Sequence, residues 1–175
     1  SFWQCMDTLR DKELLNKIWK NNKNKWWFKK IYIDWIIFQK KLKIGRKIIS
    51  NDFSTKTYII AEAGVAHFGK LKNAKKLVDI AKNAGADAVK FQAYITDELV
   101  YRKYKKWYER YKIKEVDLNF LKKVKDYCVK KKIEFLCTPH SDSAIEWLKK
   151  LKVNAIKVGS GEIGNYQFLK KISKL

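Results

Sequence analysis

From about Tyr58 onward, short apolar runs alternate with segments whose apolar residues recur at helical spacing. The runs predict four strands, over residues 58–61, 88–92, 133–138 and 155–158. The segments between them predict helices over residues 70–84, 118–132 and 141–151, and a last one from about residue 165. Residues 97–115 are aromatic and highly charged, and their pattern assigns them to neither class. Strands that alternate with helices indicate a parallel sheet.

Polar side chains interrupt the apolar strands at or near their C-terminal ends. In the second strand Lys90 and Gln92 lie on the face opposite Val89 and Phe91, and Lys157 opposes its apolar neighbours in the fourth. A doubly wound sheet covers both faces with helices, whereas a barrel turns one face toward its own interior and active-site mouth. The pattern therefore predicts an α/β fold: a partial (β/α)8 TIM barrel of about four of the eight strand–helix units.

The first 40 residues differ in composition and pattern, with many Trp and Lys residues and little periodicity of apolar positions. Thr8 followed by Asp11 is typical of a helix start, so an N-terminal helical appendage is expected. We predict two parts: residues 1–40, and the truncated barrel over residues 41–175.

The charge is strongly basic, with 40 Lys+Arg against 18 Asp+Glu and a formal net charge of +22. A basic excess of this size is typical of proteins that bind nucleic acid. One alternative is therefore a basic Lys/aromatic-rich nucleic-acid-binding module that uses Tyr101, Tyr104, Trp107 and Tyr108. The charge is, however, spread along the chain and is carried mostly by lysine, which favours solvated helix faces, with the aromatic cluster packing over a barrel mouth. The favoured interpretation has no nucleic-acid partner, and the alternative stays open.

Cysteines and apolar runs limit the cellular setting. The three cysteines, Cys5, Cys128 and Cys137, show no zinc or disulfide spacing, which fits the cytoplasm. No apolar run is long enough to cross a membrane, and no membrane partner is expected.

The interior lysines are the candidate chemistry. Lys90 and Lys157 would each need a carboxylate or a phosphate nearby if buried, and Glu62 and Glu162 are candidates within the chain. One interpretation is that these four residues form ion pairs that plug the barrel. The other is an anionic ligand, which the run from Gly159 to Gly161 favours because glycine–serine turns offer backbone N–H groups to phosphate.

Five segments in order and spacing resemble the N-acetylneuraminate (sialic acid) synthase family over about residues 41–175. They are Ile60-Ala61-Glu62-Ala63-Gly64, His67 with Gly69, Gly85-Ala86-Asp87-Ala88-Val89-Lys90-Phe91-Gln92, Phe135-Leu136-Cys137-Thr138-Pro139, and Lys157-Val158-Gly159-Ser160-Gly161-Glu162. Ile44-Gly45 is similar to the short strand segment that precedes the family's barrel. The resemblance implies a transferase of carbohydrate biosynthesis that condenses phosphoenolpyruvate with N-acetylmannosamine or a related amino sugar.

The resemblance also implies roles for individual residues. Lys90, Thr138, Lys157 and Ser160 would hold the phosphate and carboxylate of phosphoenolpyruvate. Gln92 and Glu162 would lie around the reacting centre and the sugar, and Glu62 would handle protons. A divalent metal, Mn²⁺ or Mg²⁺, and a homodimer are expected for the full-length family, with the metal-binding histidines on later strands and none in this chain. The chain alone is therefore expected to be inactive.

Three residues depart from the usual pattern of the family. Ala66 and Phe68 replace the family's usual asparagines around His67, and His140 follows Thr138-Pro139 where phenylalanine is common. These departures concern the sugar side of the expected site and leave its lysines unchanged. His67 is expected to be a hydrogen-bonded loop residue rather than a metal ligand.

Residues 1–27 resemble the C-terminal end of a glucose-1-phosphate cytidylyltransferase-like sugar nucleotidyltransferase.

Overall fold

The structure, a computed structural model, describes residues 41–50 and 55–175. The predicted helix near Thr8 and the nucleotidyltransferase resemblance of residues 1–27 lie outside these residues. The described residues fall into two units. The first contributes residues 41–43, 48–50 and 55–56, and the second consists of Ile44–Lys47 and Thr57–Leu175.

A two-stranded sheet opens the described part, with β1 over Lys41–Ile44 and β2 over Lys47–Ser50. Ile44 ends β1 and Gly45 begins the connecting turn with a φ of 57°, a left-handed conformation that suits glycine. A β-carbon at Gly45 would come within 1.8 Å of the Glu134 Oε2 atom. The turn therefore passes too close to the Glu134 carboxylate for a larger residue to fit without displacement of that side chain.

The main sheet has three parallel strands in the order β3, β4, β5. Their bounds are Ile60–Gly64, Ala88–Ala93 and Glu134–Pro139. The second and third predicted strands are confirmed, whereas β3 starts two residues later than predicted and continues to Gly64. Ile59, the residue before β3, is held next to the start of β4, because its N–H donates a 2.7 Å hydrogen bond to the carboxylate of Asp87, the residue before β4.

The fourth predicted strand is wrong, and so is the count of four strand–helix units. Over residues 155–158 the only pairing is a single parallel bridge between Ile156 and Cys137 at the outer edge of β5, and the Lys157 N–H donates to the Cys137 carbonyl over a long 3.4 Å. A strand next to β5 needs a ladder of such bonds, and one bridge does not form it. The described residues are a mixed α/β fold with a partial parallel sheet, consistent with part of a barrel.

Six helices accompany the sheet in the described residues. They are α1 Leu71–Asn83, α2 Thr96–Leu99, α3 Lys105–Lys112, α4 Leu118–Lys131, α5 Asp142–Lys150 and α6 Tyr166–Ile172. Four of them, α1, α4, α5 and α6, confirm the predicted helices. The other two, α2 and α3, occupy the segment that the sequence pattern left unassigned.

Side-chain caps fix where three helices begin. Ser141 accepts a hydrogen bond from the Ala144 N–H, and Asp117 accepts one from the Phe120 N–H. Asn165 caps α6 in the same way. Each cap satisfies an N–H group that the first helical turn leaves without a partner.

One face of the main sheet packs against the helices and forms the core. Phe91 is 1% exposed and stacks on Phe135 with ring centroids 5.9 Å apart. Against this face lie buried residues of three helices: Ala74 and Val78 from α1, Leu121, Val124 and Cys128 from α4, and Ala144 and Leu148 from α5. The opposite face bears Lys90 and Gln92, so the predicted division into an apolar face and a polar face holds in the structure.

The described cysteines are structural rather than reactive. Cys128 and Cys137 are free thiols buried in the core, and burial raises the pKa of each to about 12. A thiol with so high a pKa is a poor nucleophile and metal ligand. Within residues 41–50 and 55–175, no helix has both the length and the apolar character to cross a bilayer.

Candidate active site

An ion pair links the first two strands of the main sheet on its polar face. Glu62 of β3 lies beside Lys90 of β4 in the parallel register, and the Lys90 Nζ atom contacts the Glu62 Oε2 atom. The Lys90 side chain is only 10% exposed, while that of Glu62 is 53% exposed. Water therefore reaches the carboxylate more easily than the ammonium group, and an incoming anion could take over part of the pairing of Lys90.

Gln92 and Thr138 form the next layer toward the C-terminal ends of the strands. They face each other across β4 and β5 in register. Thr138 is 2% exposed, and its hydroxyl Oγ1 atom has no hydrogen-bond partner among the described residues. Because a buried hydroxyl without a partner is costly, it is a candidate to bind a ligand or a water molecule.

Gly64 lies close to the side chains of both Glu62 and Gln92. A β-carbon at Gly64 would lie 3.4 Å from Glu62 Oε1 and 3.9 Å from the Gln92 amide carbon. Gly64 also has a φ of 51°, a conformation that a side chain strains. The parallel register of β3 and β4 is irregular between Glu62 and Gly64.

Lys157, Ser160 and Glu162 follow the bridge at Ile156. Lys157 and Ser160 are exposed, and Ser160–Glu162 form a short 3₁₀ helix. Glu162 is half-buried and accepts a hydrogen bond of 2.9 Å from the Asn165 side-chain amide. Within the described residues neither Lys157 nor Glu162 takes part in an ion pair, so of the four residues in the plug interpretation only Lys90 and Glu62 are paired.

His140 follows β5 and lies beside Gly159, and the sequence interpretation treated it only as a departure from the family's usual phenylalanine. Burial lowers the pKa of its imidazole, and four charged side chains act on it: Glu162 and Glu62 raise the pKa while Lys157 and Lys90 lower it. The imidazole also covers Gly159, where a β-carbon would be 2.9 Å from its Cε1 atom. The signal in the sequence was its position directly after Thr138-Pro139, at the end of a predicted strand.

The described residues do not fit a divalent metal. In residues 41–50 and 55–175 no three His, Cys, Asp or Glu side chains are grouped closely enough to hold one. Glu62 is instead engaged by Lys90.

His67 is a buried loop residue in the structure. It is 1% exposed, its Nδ1 atom accepts a hydrogen bond of 3.0 Å from the Gly69 N–H, and its Nε2 atom has no partner among the described residues. Phe120 packs on the ring, with centroids 5.0 Å apart. Burial lowers the pKa of His67 from 6.5 to about 4.

This burial predicts a pH dependence of stability. Between pH 6.5 and 4 the unfolded chain protonates His67 while the folded chain keeps it neutral, so stability falls as pH falls through this window. The loss is on the order of 3 kcal/mol, from about 1.36 kcal/mol per pKa unit. Urea denaturation at several pH values should show a weaker pH dependence in His67→Asn than in the wild type. Equal slopes in the two proteins would contradict the assignment, and the carboxylates common to both cancel in the comparison.

Comparisons with known proteins identify one family. Residues 77–175 match the NeuB family. The chain is 40% identical over 135 residues to the N,N'-diacetyllegionaminic acid synthase of Campylobacter jejuni, covering 69% of this chain and 40% of that protein. It is 34% identical over 140 residues to the N-acetylneuraminate-9-phosphate synthase of Drosophila melanogaster, covering 73% of this chain and 38% of that protein.

A solved structure agrees with both. The N-acetylneuraminic acid (sialic acid) synthetase of Leptospira borgpetersenii, crystallised in complex with citrate, superposes with a TM-score of 0.71 at 30% identity, covering 77% of this chain and 46% of that one. The chain spans about 40% of the length of the curated relatives it matches. The resemblance expected from the sequence motifs is confirmed.

Proposed function

This chain belongs to the NeuB family, and on that premise we propose that it supplies the phosphoenolpyruvate-binding part of a nonulosonic acid synthase. The reaction would condense phosphoenolpyruvate with N-acetylmannosamine or a related amino sugar. The observation that carries the proposal is the Glu62–Lys90 ion pair on the polar face of the sheet, with the buried Thr138 hydroxyl, which has no partner among the described residues, in the next layer of the same face. A buried cation and an unpartnered hydroxyl on one face of parallel strands suit a small phosphorylated acid.

The roles follow the chemistry of each group. Lys90 and Lys157 would balance the phosphate and carboxylate charges of phosphoenolpyruvate, and Thr138 and Ser160 would donate hydroxyl hydrogen bonds to its oxygens. Gln92 and Glu162 would orient the amino sugar. Binding both substrates on one rigid sheet edge lowers the entropy cost of bringing the two carbons together.

The proposed reaction balances with water as the third reactant. The methylene carbon of phosphoenolpyruvate bonds to the aldehyde carbon of the sugar, whose oxygen takes up a proton. Water adds at the carbon that bears the phosphate, the bond from that carbon to the phosphate oxygen breaks, and inorganic phosphate leaves. Glu62, half-exposed beside Lys90, would accept one proton of the attacking water and pass it to the sugar oxygen, and the other proton would leave with the phosphate. In the complete family a divalent metal would polarise the aldehyde.

The test is a calorimetric titration of the chain with phosphoenolpyruvate. We expect binding, and we expect Lys157→Met to weaken it about tenfold, because an exposed cation that meets an anion contributes about 1–2 kcal/mol. Lys149→Met, which removes an exposed lysine from α5, is the matched control and should leave affinity unchanged. Absence of binding by the wild type, or equal loss in both variants, would refute the proposal.

Catalysis is a separate matter, since the described sheet has three strands of the eight that close a barrel. We propose that the chain alone releases no phosphate from phosphoenolpyruvate with an amino sugar and Mn²⁺, and phosphate release in that assay would overturn this part. The homodimer and the cytoplasmic location are proposals that rest on the family. The nucleic-acid alternative stays a prediction, based on the exposed rings of Tyr101, Tyr104 and Trp107.

A further inference from the structure

A cavity lies at the N-terminal ends of the main strands, away from the candidate active site. It measures about 420 Å³, and its walls include Asp87, the residue before β4, and Glu134, the first residue of β5. Thr138 lies further along β5, about 13 Å from Glu134 at roughly 3.3 Å per residue. Every residue that lines the cavity belongs to the second unit. The volume falls within the roughly 300–1,000 Å³ of pockets that enclose a small-molecule ligand.

The two carboxylates of this cavity differ in how far the chain itself engages them. Asp87 is held on two sides, by the ammonium group of Lys47 and by the Ile59 N–H. Glu134 is in no ion pair within residues 41–50 and 55–175, and its Oε1 atom accepts a 3.0 Å hydrogen bond from the Asn154 amide. Because a carboxylate has about four lone-pair sites, Glu134 keeps the capacity to accept hydrogen bonds from a ligand.

Positive charge exceeds negative charge around the cavity. Four cations and two carboxylates line it: Arg46, Lys47, Lys125 and Lys132, with Asp87 and Glu134. The Lys125 ammonium contacts the Leu151 carbonyl, whereas the side chains of Arg46 and Lys132 have no ion pair or hydrogen bond in the part of the chain that the structure describes. The excess of two positive charges matches a phosphate monoester, which carries about −1.5 to −2 at neutral pH.

The other walls suit an organic body attached to the phosphate. Ile133 and Phe135 are buried, and Val129 lines the cavity while 61% exposed. The Tyr58 hydroxyl is buried with no hydrogen-bond partner among the described residues, and burial raises the pKa of Tyr58 to about 12, so the hydroxyl stays a donor. A bare phosphate ion would leave the apolar walls without a partner, while small-ligand pockets commonly combine such walls with a few polar groups.

We propose that this cavity binds a nucleoside monophosphate. Its phosphate would meet Arg46 and Lys132, and its base would lie against the apolar walls. Glu134 would accept hydrogen bonds from the ribose hydroxyls or from an amino group of the base, as carboxylates do in other nucleotide and base contacts. The inference does not depend on the proposed function, because active sites of such barrels lie at the C-terminal ends of the strands and this cavity lies at the N-terminal ends. Its occupant is therefore an effector rather than a substrate.

The test is a calorimetric titration of the full chain with the 5′-monophosphates of adenosine, cytidine, guanosine and uridine. At least one should bind with a Kd below about 1 mM, and the corresponding nucleoside should bind at least about tenfold more weakly, because it lacks the charge-assisted hydrogen bonds. Arg46→Met/Lys132→Met should weaken nucleotide binding at least about tenfold. The matched control is Lys122→Met/Lys123→Met, which removes two exposed lysines from α4 outside the cavity and should keep the affinity.

Tyr58→Phe is a second variant that tests the cavity without loss of a charge. It should weaken nucleotide binding about three- to tenfold, the size expected of one hydrogen bond. The thermal midpoint should stay unchanged, because the hydroxyl has no hydrogen-bond partner among the described residues to lose.

Several outcomes would overturn the nucleotide site. These are no binding of any of the four nucleotides, equal affinity for nucleotide and nucleoside, or unchanged affinity in Arg46→Met/Lys132→Met or Tyr58→Phe. Inorganic phosphate that binds as tightly as the nucleotide would overturn it in favour of a general anion site. Competition by phosphoenolpyruvate would place the nucleotide in the candidate active site instead, and displacement by a single-stranded oligonucleotide at physiological salt would favour nucleic acid. Phosphoenolpyruvate binding in a separate titration tests the proposed function alone, and it should persist in Arg46→Met/Lys132→Met.

Discussion

Replacing Lys90 with methionine is expected to weaken phosphoenolpyruvate binding by about 100-fold. Lys90 is the buried cation of the site, with a side chain only 10% exposed, so its charge acts on a ligand with little screening by water. Removal of one member of a desolvated charge pair at a binding site costs about 2–5 kcal/mol. Calorimetric titration of the variant and of the wild type measures the change.

The same substitution should leave the fold largely intact. Methionine keeps most of the buried volume of Lys90, and the partner that remains, Glu62, is half-exposed and stays hydrated. The thermal midpoint should therefore change little, and Lys122→Met on the exposed side of α4 serves as the control for charge. Wild-type affinity in Lys90→Met would contradict the phosphate-binding role.

Glu62 gives an opposite test of the same pair. Glu62→Gln removes the negative charge that competes for Lys90, so phosphoenolpyruvate should bind as well as in the wild type or more tightly. A loss of affinity equal to that of Lys90→Met would show that the pair serves as a structural unit, as the plug interpretation of the sequence requires.

Replacing Phe91 with alanine is expected to lower the free energy of unfolding by about 3–5 kcal/mol, the usual cost of a large-to-small change at a buried aromatic residue. Phe91 is 1% exposed, stacks on Phe135 and lies 6.1 Å from the His67 ring, so its removal leaves a cavity between the sheet and α4. A domain is usually stable by about 5–15 kcal/mol, so this loss is a large fraction. Urea denaturation followed by circular dichroism measures it.

Ile80→Ala is the matched control for Phe91→Ala. Ile80 lies on α1 but is 54% exposed, so truncation removes little buried surface and alanine favours the helix. The expected change is within about 0.5 kcal/mol. A similar cost for both variants would mean that the apolar face of the sheet is not the core described here.

Much of the fold followed from local patterns in the sequence. The helices α1, α4 and α5 begin and end within one residue of their predicted bounds, because the apolar spacing that predicted them is a local signal. The division of β4 into an apolar and a polar face also followed, since the side-chain period of a strand is two. Residues 155–158 resisted prediction because their apolar letters match a strand, while a strand exists only where a ladder of bonds to a neighbour forms.

The candidate site divides in the same way. Residue type and position at strand ends identified Glu62, Lys90, Gln92, Thr138, Lys157, Ser160 and Glu162, and the motif order identified the family. Their roles stay predictions. Only the tertiary structure decided that Lys90 pairs with Glu62 while Lys157 has no described ion-pair partner, and that the His140 ring lies against Gly159.

The segment over residues 97–115 depended even more on the tertiary structure. It gave no helical or strand period, and its cations look like any others in a chain with 40 basic residues. Which cations are paired depends on distances between residues far apart in the chain, such as Lys114 and Phe68, and sequence spacing does not fix those distances. The sequence by itself therefore determined the local elements, the apolar face and the family. The tertiary structure decided which charges are paired and which are not, because the pairing of charges is a property of packing.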